Sequence, residues 1–169
     1  MASSVNVDAI NTAMSVSLLN RQQIPELVPL VAEFQHRRTG QNATDAEIAH
    51  FMHHWSDQAD QQRRCFLYHT DGFLGGFCCA QVIADLESLV NVAEARFLFV
   101  LEGVSDQSGA AAALLSACWH YAKREHCSRL QLASDAEDEQ TLTLMRNFAA
   151  QECQQIRFSI PVSNAASAA

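Results

Sequence analysis

Residues 97–118 read FLFVLEGVSDQSGAAAALLSAC and combine an apolar run, a polar turn and an alanine-rich run. The apolar run Phe97–Leu101 is typical of a buried strand. Residues 110–119 carry no charged side chain, which indicates a helix that is buried on most of its sides. This segment therefore predicts a strand, a turn and a buried helix in direct succession.

The turn at residues 103–109 aims backbone N–H groups along the axis of the predicted helix. The first N–H groups of a helix lack intrahelical acceptors and carry the positive end of the helix dipole, so anions bind there. The small residues Gly109, Ala110 and Ala111 let a large anionic ligand approach the backbone. The segment thus predicts a phosphate or pyrophosphate site. Tight packing of the helix against the strand is the alternative interpretation.

Length and composition favour one globular domain. The chain has 169 residues, of which 49% are hydrophobic and 18% charged. We expect a domain over residues 15–162 between flexible tails at 1–14 and 163–169. No apolar run is long enough for a transmembrane helix, and the N-terminus lacks the pattern of a signal peptide.

The net charge limits the binding partners that we expect, and the cysteine spacing bears on the cellular compartment. A net charge of −8 argues against nucleic acid and suits a cationic partner such as an amine, although acidic proteins are common. The six cysteines form no CxxC pair and no metal-ligand spacing. We therefore expect reduced, buried thiols and a cytoplasmic protein, with no membrane partner.

Hydrophobic periodicity and turn signals predict one α/β (α+β) domain of order β-α-α-β-β-β-α-β-α-β. Asn20 is expected to cap the first helix, and Thr44 with Glu47 forms a capping box for the second. Pro29 should bend the first helix or delay its start. The strands are predicted at 15–19, 65–69, 73–84, 93–101, 129–133 and 155–162, and the last two helices at 109–125 and from a cap at Ser134 or Asp135 to about 150.

This order resembles the GNAT superfamily of acetyl-CoA-dependent N-acetyltransferases over nearly all of residues 15–162. Three stretches carry the resemblance: TDGFLGGFCCAQ (70–81), VLEGVSDQSGAAAALL (100–115) and CSRLQLAS (127–134). It implies a mixed central sheet flanked by helices, acetyl-CoA as cosubstrate, and transfer of an acetyl group to an amine of a small molecule or peptide.

The acyl-CoA loop of that family reads V-x-P-x-x-[RQ]-x-x-G-x-[GA]. At its specified positions this chain has Leu101, Gly103, Asp106, Gly109 and Ala111. The small residues match, but Asp106 replaces the Arg or Gln. A carboxylate there can cap the helix, and if it points into the loop it opposes a pyrophosphate.

The resemblance implies that backbone N–H groups of Leu101 and Gly103 hold the pantetheine and polarise the thioester carbonyl. The predicted cofactor-binding residues are Leu101, Gly103, Val104, Gln107, Ser108, Gly109, Ala110 and Ala111.

Glu94 and Glu102 are the candidate general bases. By strand alternation they share a face with Arg96. The family often places its base near the start of this strand, which favours Glu94. The alternatives are a Glu94–Arg96 surface ion pair and a solvated Glu102 at the end of the strand.

The family's tyrosine acid on the last helix is absent, because Met145 stands at that position. We expect Tyr68 and Tyr121 in the core. Either the thiolate leaves unassisted, or the chain is a catalytically silent binding or assembly module. Compared with the full fold of the family, the predicted order is also one strand short, and the sheet edge this leaves favours a homodimer.

The resemblance places the first two helices over the acceptor amine, so His36, Arg37 and His53 are candidate substrate contacts. His50 and His53 have a spacing that can bind a metal, but no third ligand accompanies them. We therefore predict no metal site.

Overall fold

The structure is a computed structural model that describes residues 14–56, 62–133 and 139–152. Its five-stranded sheet has the order β1-β2-β3-β4-β5, antiparallel except for the parallel pair β4–β5. The strands are β1 (Ser15–Leu18), β2 (Arg63–Thr70), β3 (Phe73–Asp85), β4 (Val90–Val100) and β5 (Leu130–Leu132). The helices are α1 (Ile24–Thr39), α2 (Asp45–His53), α3 (Gln107–Arg124) and α4 (Glu139–Glu152).

The predicted mixed sheet flanked by helices is confirmed through its ninth element. The predicted strand at 155–162 and the predicted cap of the last helix at Ser134 or Asp135 lie outside the described residues, as do both predicted tails except Met14. Within the described ranges, no helix is both long and apolar enough to cross a membrane.

Local sequence signals set the element ends. Asn20 caps a 3₁₀ turn (Arg21–Gln23) that leads directly into α1. Pro29 lies inside α1, which begins before it at Ile24, so the helix start is not delayed. Thr44 and Glu47 form the predicted capping box of α2. In the turn from β2 to β3, Asp71 and Gly72 both have positive φ (50° and 77°), as a two-residue hairpin turn requires.

The sheet separates two hydrophobic cores. One core packs α3 and α4 against the sheet and includes Cys78 and Cys118, whose Sγ atoms lie 3.7 Å apart. The other packs α1 and α2 against the opposite face and includes Cys65 and Cys79. Because side chains alternate along a strand, the adjacent residues Cys78 and Cys79 belong to different cores.

A β-bulge interrupts β4. Phe99 pairs with Phe77 and Arg96 with Cys79, so two residues of β4, Phe97 and Leu98, oppose one residue of β3. Phe97 has a φ of 56°, a left-handed conformation that is rare for an aromatic residue.

The bulge shifts side-chain alternation by one residue. Before it, Ala93 and Ala95 face α3, and after it Leu98 and Val100 do. The predicted face shared by Glu94, Arg96 and Glu102 therefore requires correction, because strand parity does not carry across Phe97. Glu102 lies in the turn after β4.

Candidate functional site

β4 and β5 diverge at the bulge. Their pairing runs from Ala93–Leu130 to Ala95–Leu132, and the last hydrogen bond described between them joins Ala133 N to Ala95 O at 3.0 Å. Beyond that point β4 continues to Val100, paired with β3 alone among the described residues. Among the described residues, the side of β4 next to β5 therefore has no strand partner along its last residues.

The main-chain groups on this side of β4 belong to Leu98 and Val100. Leu101 N donates to Gly75 O of β3 at 2.9 Å. Hydrogen bonds to a given neighbour alternate along an antiparallel pair, so Leu98 and Val100 direct their N–H and C=O groups away from β3. This moves the candidate main-chain donors from Leu101 to these two residues.

The N-terminus of α3 lies just after this strand end, and Asp106 occupies it. Its Oδ1 accepts a hydrogen bond from Gly109 N at 2.8 Å, and a methyl group added at Gly109 would overlap the same carboxylate. The carboxylate thus caps the first turn of α3 at its solvent-exposed start, and it takes one of the N–H groups that the sequence interpretation gave to an anionic ligand.

Two amides of the first turn are still open. Among the described residues, no acceptor is recorded for the backbone N–H of Gln107 or of Ser108. The Gln107 side chain is engaged, because its Nε2 donates to Leu101 O at 3.3 Å and its Oε1 accepts from Gln140 at 3.0 Å. Ser108 is exposed.

Of the remaining predicted cofactor-binding residues, three are buried in the core against α3 and one is exposed. Val104, Ala110 and Ala111 are at most 5% exposed and belong to the α3 core, and Ala110 N donates to Asp106 O. Their side chains therefore pack the helix against the sheet, which was the alternative interpretation. Gly103 is exposed, with open space around it.

Glu94 lies in an ion pair with Arg96, at 3.0 Å between Oε1 and Nε. Its side chain is 15% exposed and also accepts from Gln81 Nε2 at 3.4 Å. The Arg96 guanidinium lies over the Phe97 ring. The geometry thus agrees with the alternative interpretation, an ion pair between Glu94 and Arg96. The Glu94 carboxylate is largely shielded from solvent in this pair.

Two separately predicted residues meet at the end of β4. Arg37 Nη1 donates to Glu102 Oε1 at 2.9 Å, and Arg37 also pairs with Glu33 of its own helix. The guanidinium lies 5.5 Å from the centre of the Phe99 ring. The C-terminal end of α1 is therefore fixed beside the end of β4.

The predicted histidine contacts do not join that group. His36 Nδ1 lies 3.1 Å from Asn42 Oδ1, and His53 is exposed on α2. His50 packs against His54 rather than against His53. In the described part of the chain, no three His, Cys, Asp or Glu side chains converge as metal ligands would.

The tyrosines lie in the core as predicted. Tyr68 and Tyr121 are each 2% exposed, and burial raises the pKa of Tyr121 to about 12, which makes it a weak proton donor. Met145, at the position of the family's tyrosine, is fully buried.

Sequence reasoning missed an aromatic cluster next to Glu94 and Arg96. The ring of Phe97 lies 5.8 Å from that of Trp55, 6.1 Å from Phe34 and 6.4 Å from Phe51. Phe51 is 48% exposed. The spacing of Phe51 and Trp55 placed both on one face of α2, but their contact with the bulge depends on the fold.

No protein-family model and no curated protein matches the sequence. Solved structures do resemble the fold. A ribosomal-protein-alanine N-acetyltransferase from Brucella melitensis biovar Abortus 2308 has a TM-score of 0.67 at 19% identity, over 89% of this chain and 97% of that one. An aminoglycoside N-acetyltransferase in complex with CoA has a TM-score of 0.66 at 19% identity, over 89% and 95%.

A transcriptional regulator from Bacillus halodurans C-125 has a TM-score of 0.70 at 12% identity, over 89% of this chain and 99% of that one. These structures share the sheet and helix arrangement across most of both chains, and two of the three are acetyltransferases. The chain has the fold of the GNAT acetyltransferases.

Proposed function

We propose that this protein transfers an acyl group, acetyl in the first instance, from acyl-CoA to an amine. The observation that carries the proposal is the divergence of β4 from β5 at the bulge. It leaves main-chain N–H groups without a strand partner among the described residues, directly before the N-terminus of a long helix. The similarity to acetyltransferase structures, one of them holding CoA, supports the same reaction.

In this proposal the pantetheine arm lies along the free edge of β4. Leu98 and Val100 supply main-chain hydrogen bonds to its amides, and one of their N–H groups polarises the thioester carbonyl. Gln107 N and Ser108 N face the coenzyme phosphates. Because these donors are main-chain groups, they do not depend on the side chains that depart from the family's pattern.

The reaction is direct aminolysis of the thioester. The amine nitrogen forms a bond to the acyl carbon, the C–S bond breaks, and the proton lost by the nitrogen leaves through a base. Glu94 is the proposed base, because it is the carboxylate on β4 with restricted solvent access. The thiolate leaves without an acid, which its moderate basicity permits.

The acceptor amine is proposed to enter beside α1 and α2, where Arg37 contacts Glu102 at the end of β4. His36 and His53, on the same two helices, are proposed as further substrate contacts. The names of two similar structures, an aminoglycoside and a ribosomal-protein-alanine acetyltransferase, cover both a small-molecule and a protein amine. Both classes therefore belong in the substrate screen. A cytoplasmic homodimer is part of the same proposal.

One contact favours a second function, a catalytically silent binding or assembly module. The Asp106 carboxylate takes the Gly109 N–H that a pyrophosphate would need and places negative charge there. If this cap is permanent, the fold would be kept for a task other than acyl transfer.

A ligand-binding experiment separates the two functions. Thermal unfolding of wild type and Asp106→Asn is followed with millimolar acetyl-CoA, and amine-dependent thiol release is then measured. A ligand that binds the folded chain raises the midpoint, so we expect an increase in both variants. No increase in either one would overturn the enzyme proposal and favour the silent module.

The matched control is Ser108→Pro, which removes one open N–H of the first turn. Proline is tolerated in the first turn of a helix, as Pro25 is at the second position of α1. We expect weaker acetyl-CoA binding with an almost unchanged midpoint in the absence of ligand.

A further inference from the structure

We infer that the donor site selects against the nucleotide diphosphate of CoA and accepts its acyl group best from a pantetheine-type thioester that lacks it. The inference rests on the proposed acyl transfer and names the class of its donor. It is carried by two observations on the described residues: main-chain groups at the end of β4 that have no strand partner on the β5 side, and a carboxylate that already accepts the Gly109 N–H at the start of α3.

The main-chain groups at the end of β4 do not require a charged ligand. On the side next to β5, these are the backbone N–H and C=O groups of Leu98 and Val100. Such groups suit the amides of a pantetheine arm, which alternate donors and acceptors in the manner of a peptide strand. This half of the site is intact.

A carboxylate takes part of the phosphate position. Asp106 Oδ1 accepts from Gly109 N at 2.8 Å, and the carboxylate lies in the space beside Gly109. A diphosphate that took the Gly109 N–H would displace the carboxylate, uncap α3 and remain within a few ångströms of the displaced charge. A diphosphate bound to Gln107 N and Ser108 N alone would lie beside the same charge. Each of these steps weakens binding of a diphosphate and none affects a neutral arm.

The charges around the loop do not offset this repulsion. Residues 101–111 contain Glu102 and Asp106 but neither lysine nor arginine. Arg37 reaches this segment, and its guanidinium already pairs with Glu33 and Glu102. The chain as a whole carries −8. A tetra-anionic coenzyme therefore meets a net negative field, while a pantetheine thioester does not.

The test compares two donors that share the same arm. The kcat/KM values for S-acetylpantetheine and acetyl-CoA are measured with one amine, for wild type and Asp106→Asn. Asparagine keeps the cap but removes the charge. We expect wild type to use S-acetylpantetheine at least as well as acetyl-CoA. In Asp106→Asn, kcat/KM for acetyl-CoA should rise at least about tenfold, with the value for S-acetylpantetheine within about twofold of wild type.

Two controls isolate the local charge. Asp45→Asn makes the same charge change in the exposed first turn of α2, and we expect it to leave the donor ratio unchanged. Raising the ionic strength should raise kcat/KM for acetyl-CoA in wild type and leave S-acetylpantetheine unaffected, because salt screens the repulsion.

The inference is overturned if wild type prefers acetyl-CoA by about 100-fold, or if Asp106→Asn changes both donors equally. If neither donor is turned over, the proposed function fails, and ligand-dependent thermal shifts still decide selectivity. Pantetheine should then stabilise both variants, and CoA should stabilise Asp106→Asn more than wild type. Absence of any shift with pantetheine would overturn the inference as well.

Discussion

Arg37 Nη1 lies 2.9 Å from Glu102 Oε1, which joins α1 to the turn after β4 across 65 positions of the chain. Both residues are considerably exposed, with 36% and 71% of their side chains accessible. Pairs of this kind contribute about 0.2–1 kcal/mol. A double-mutant cycle of Arg37→Gln and Glu102→Gln should therefore give a coupling free energy in that range by urea unfolding. A coupling above about 2 kcal/mol would mean that the pair is buried in solution.

Glu94 can be tested as the base separately from its ion pair. Glu94→Gln should lower kcat by about 100-fold or more, since general-base catalysis contributes about 10²–10⁴. Arg96→Ala is the matched control, because it breaks the 3.0 Å pair but keeps the carboxylate. Equal losses of kcat in Glu94→Gln and Arg96→Ala would indicate that the ion pair supports turnover and that Glu94 is not the base.

The cap of α3 makes a coupled prediction for Asp106 and Gly109. Asp106→Ala removes the side-chain acceptor and should destabilise the fold by about 0.5–2 kcal/mol, whereas Asp106→Asn should be nearly neutral. Gly109→Ala should destabilise wild type, because the new methyl group overlaps the Asp106 carboxylate. In the Asp106→Ala background the same change should be neutral or stabilising. Additive effects in chemical denaturation would contradict the overlap.

The left-handed backbone of Phe97 predicts that glycine is more stable than alanine at this position, the reverse of the usual order in a strand. At ordinary strand positions glycine is less stable than alanine by about 0.5–1 kcal/mol. Phe97 has a φ of 56°, where a β-carbon costs about 1–2 kcal/mol. Phe97→Gly should therefore be more stable than Phe97→Ala, although both lose the aromatic contacts. Ala84→Gly on β3 is the control and should destabilise. If Phe97→Ala were more stable than Phe97→Gly, the backbone of the bulge would have to relax in solution.

Asp85 predicts a loss of stability at acidic pH. Hydrogen bonds from Ser88 and Arg129 lower the pKa of Asp85 to about 2. The folded pKa lies below the unfolded value of 3.8, so the stabilisation is fully present above pH 3.8 and is lost as the pH falls towards 2. The free energy of unfolding of Asp85→Asn should fall less steeply than that of wild type across this window. Parallel pH profiles would exclude a contribution from Asp85.

Predictions that depend on neighbouring residues in the sequence were confirmed most fully. The capping box of Thr44 and Glu47 and the turn at Asp71 and Gly72 each involve at most four consecutive positions, so their chemistry can be read directly. The strand, turn and helix around residues 97–118 follow from composition for the same reason. Pro29 does not delay the start of α1, because packing of the helix against the sheet outweighs its local penalty.

Features that depend on pairing between distant segments could not be predicted. The bulge at Phe97 exists only in the register of β4 against β3, and it invalidates the alternation that placed Glu94 and Glu102 on one face. The contact of Arg37 with Glu102 and the aromatic surroundings of Phe97 depend on how α1 and α2 cross the sheet. Asp106 was identified as a cap or an obstacle from the sequence, but its direction required coordinates.

Cys78 and Cys79 lie in opposite cores, so thiol modification can report separately on the opening of each core. Burial raises the pKa of Cys79, and the hydrogen bond with Cys78 together with burial raises that of Cys118, so neither thiol reacts while its layer is closed. Alkylation at Cys118 records separation of α3 from the sheet, and alkylation at Cys79 records separation of α1 and α2. Peptide mapping of the modified thiols therefore distinguishes local opening of the donor side from that of the acceptor side.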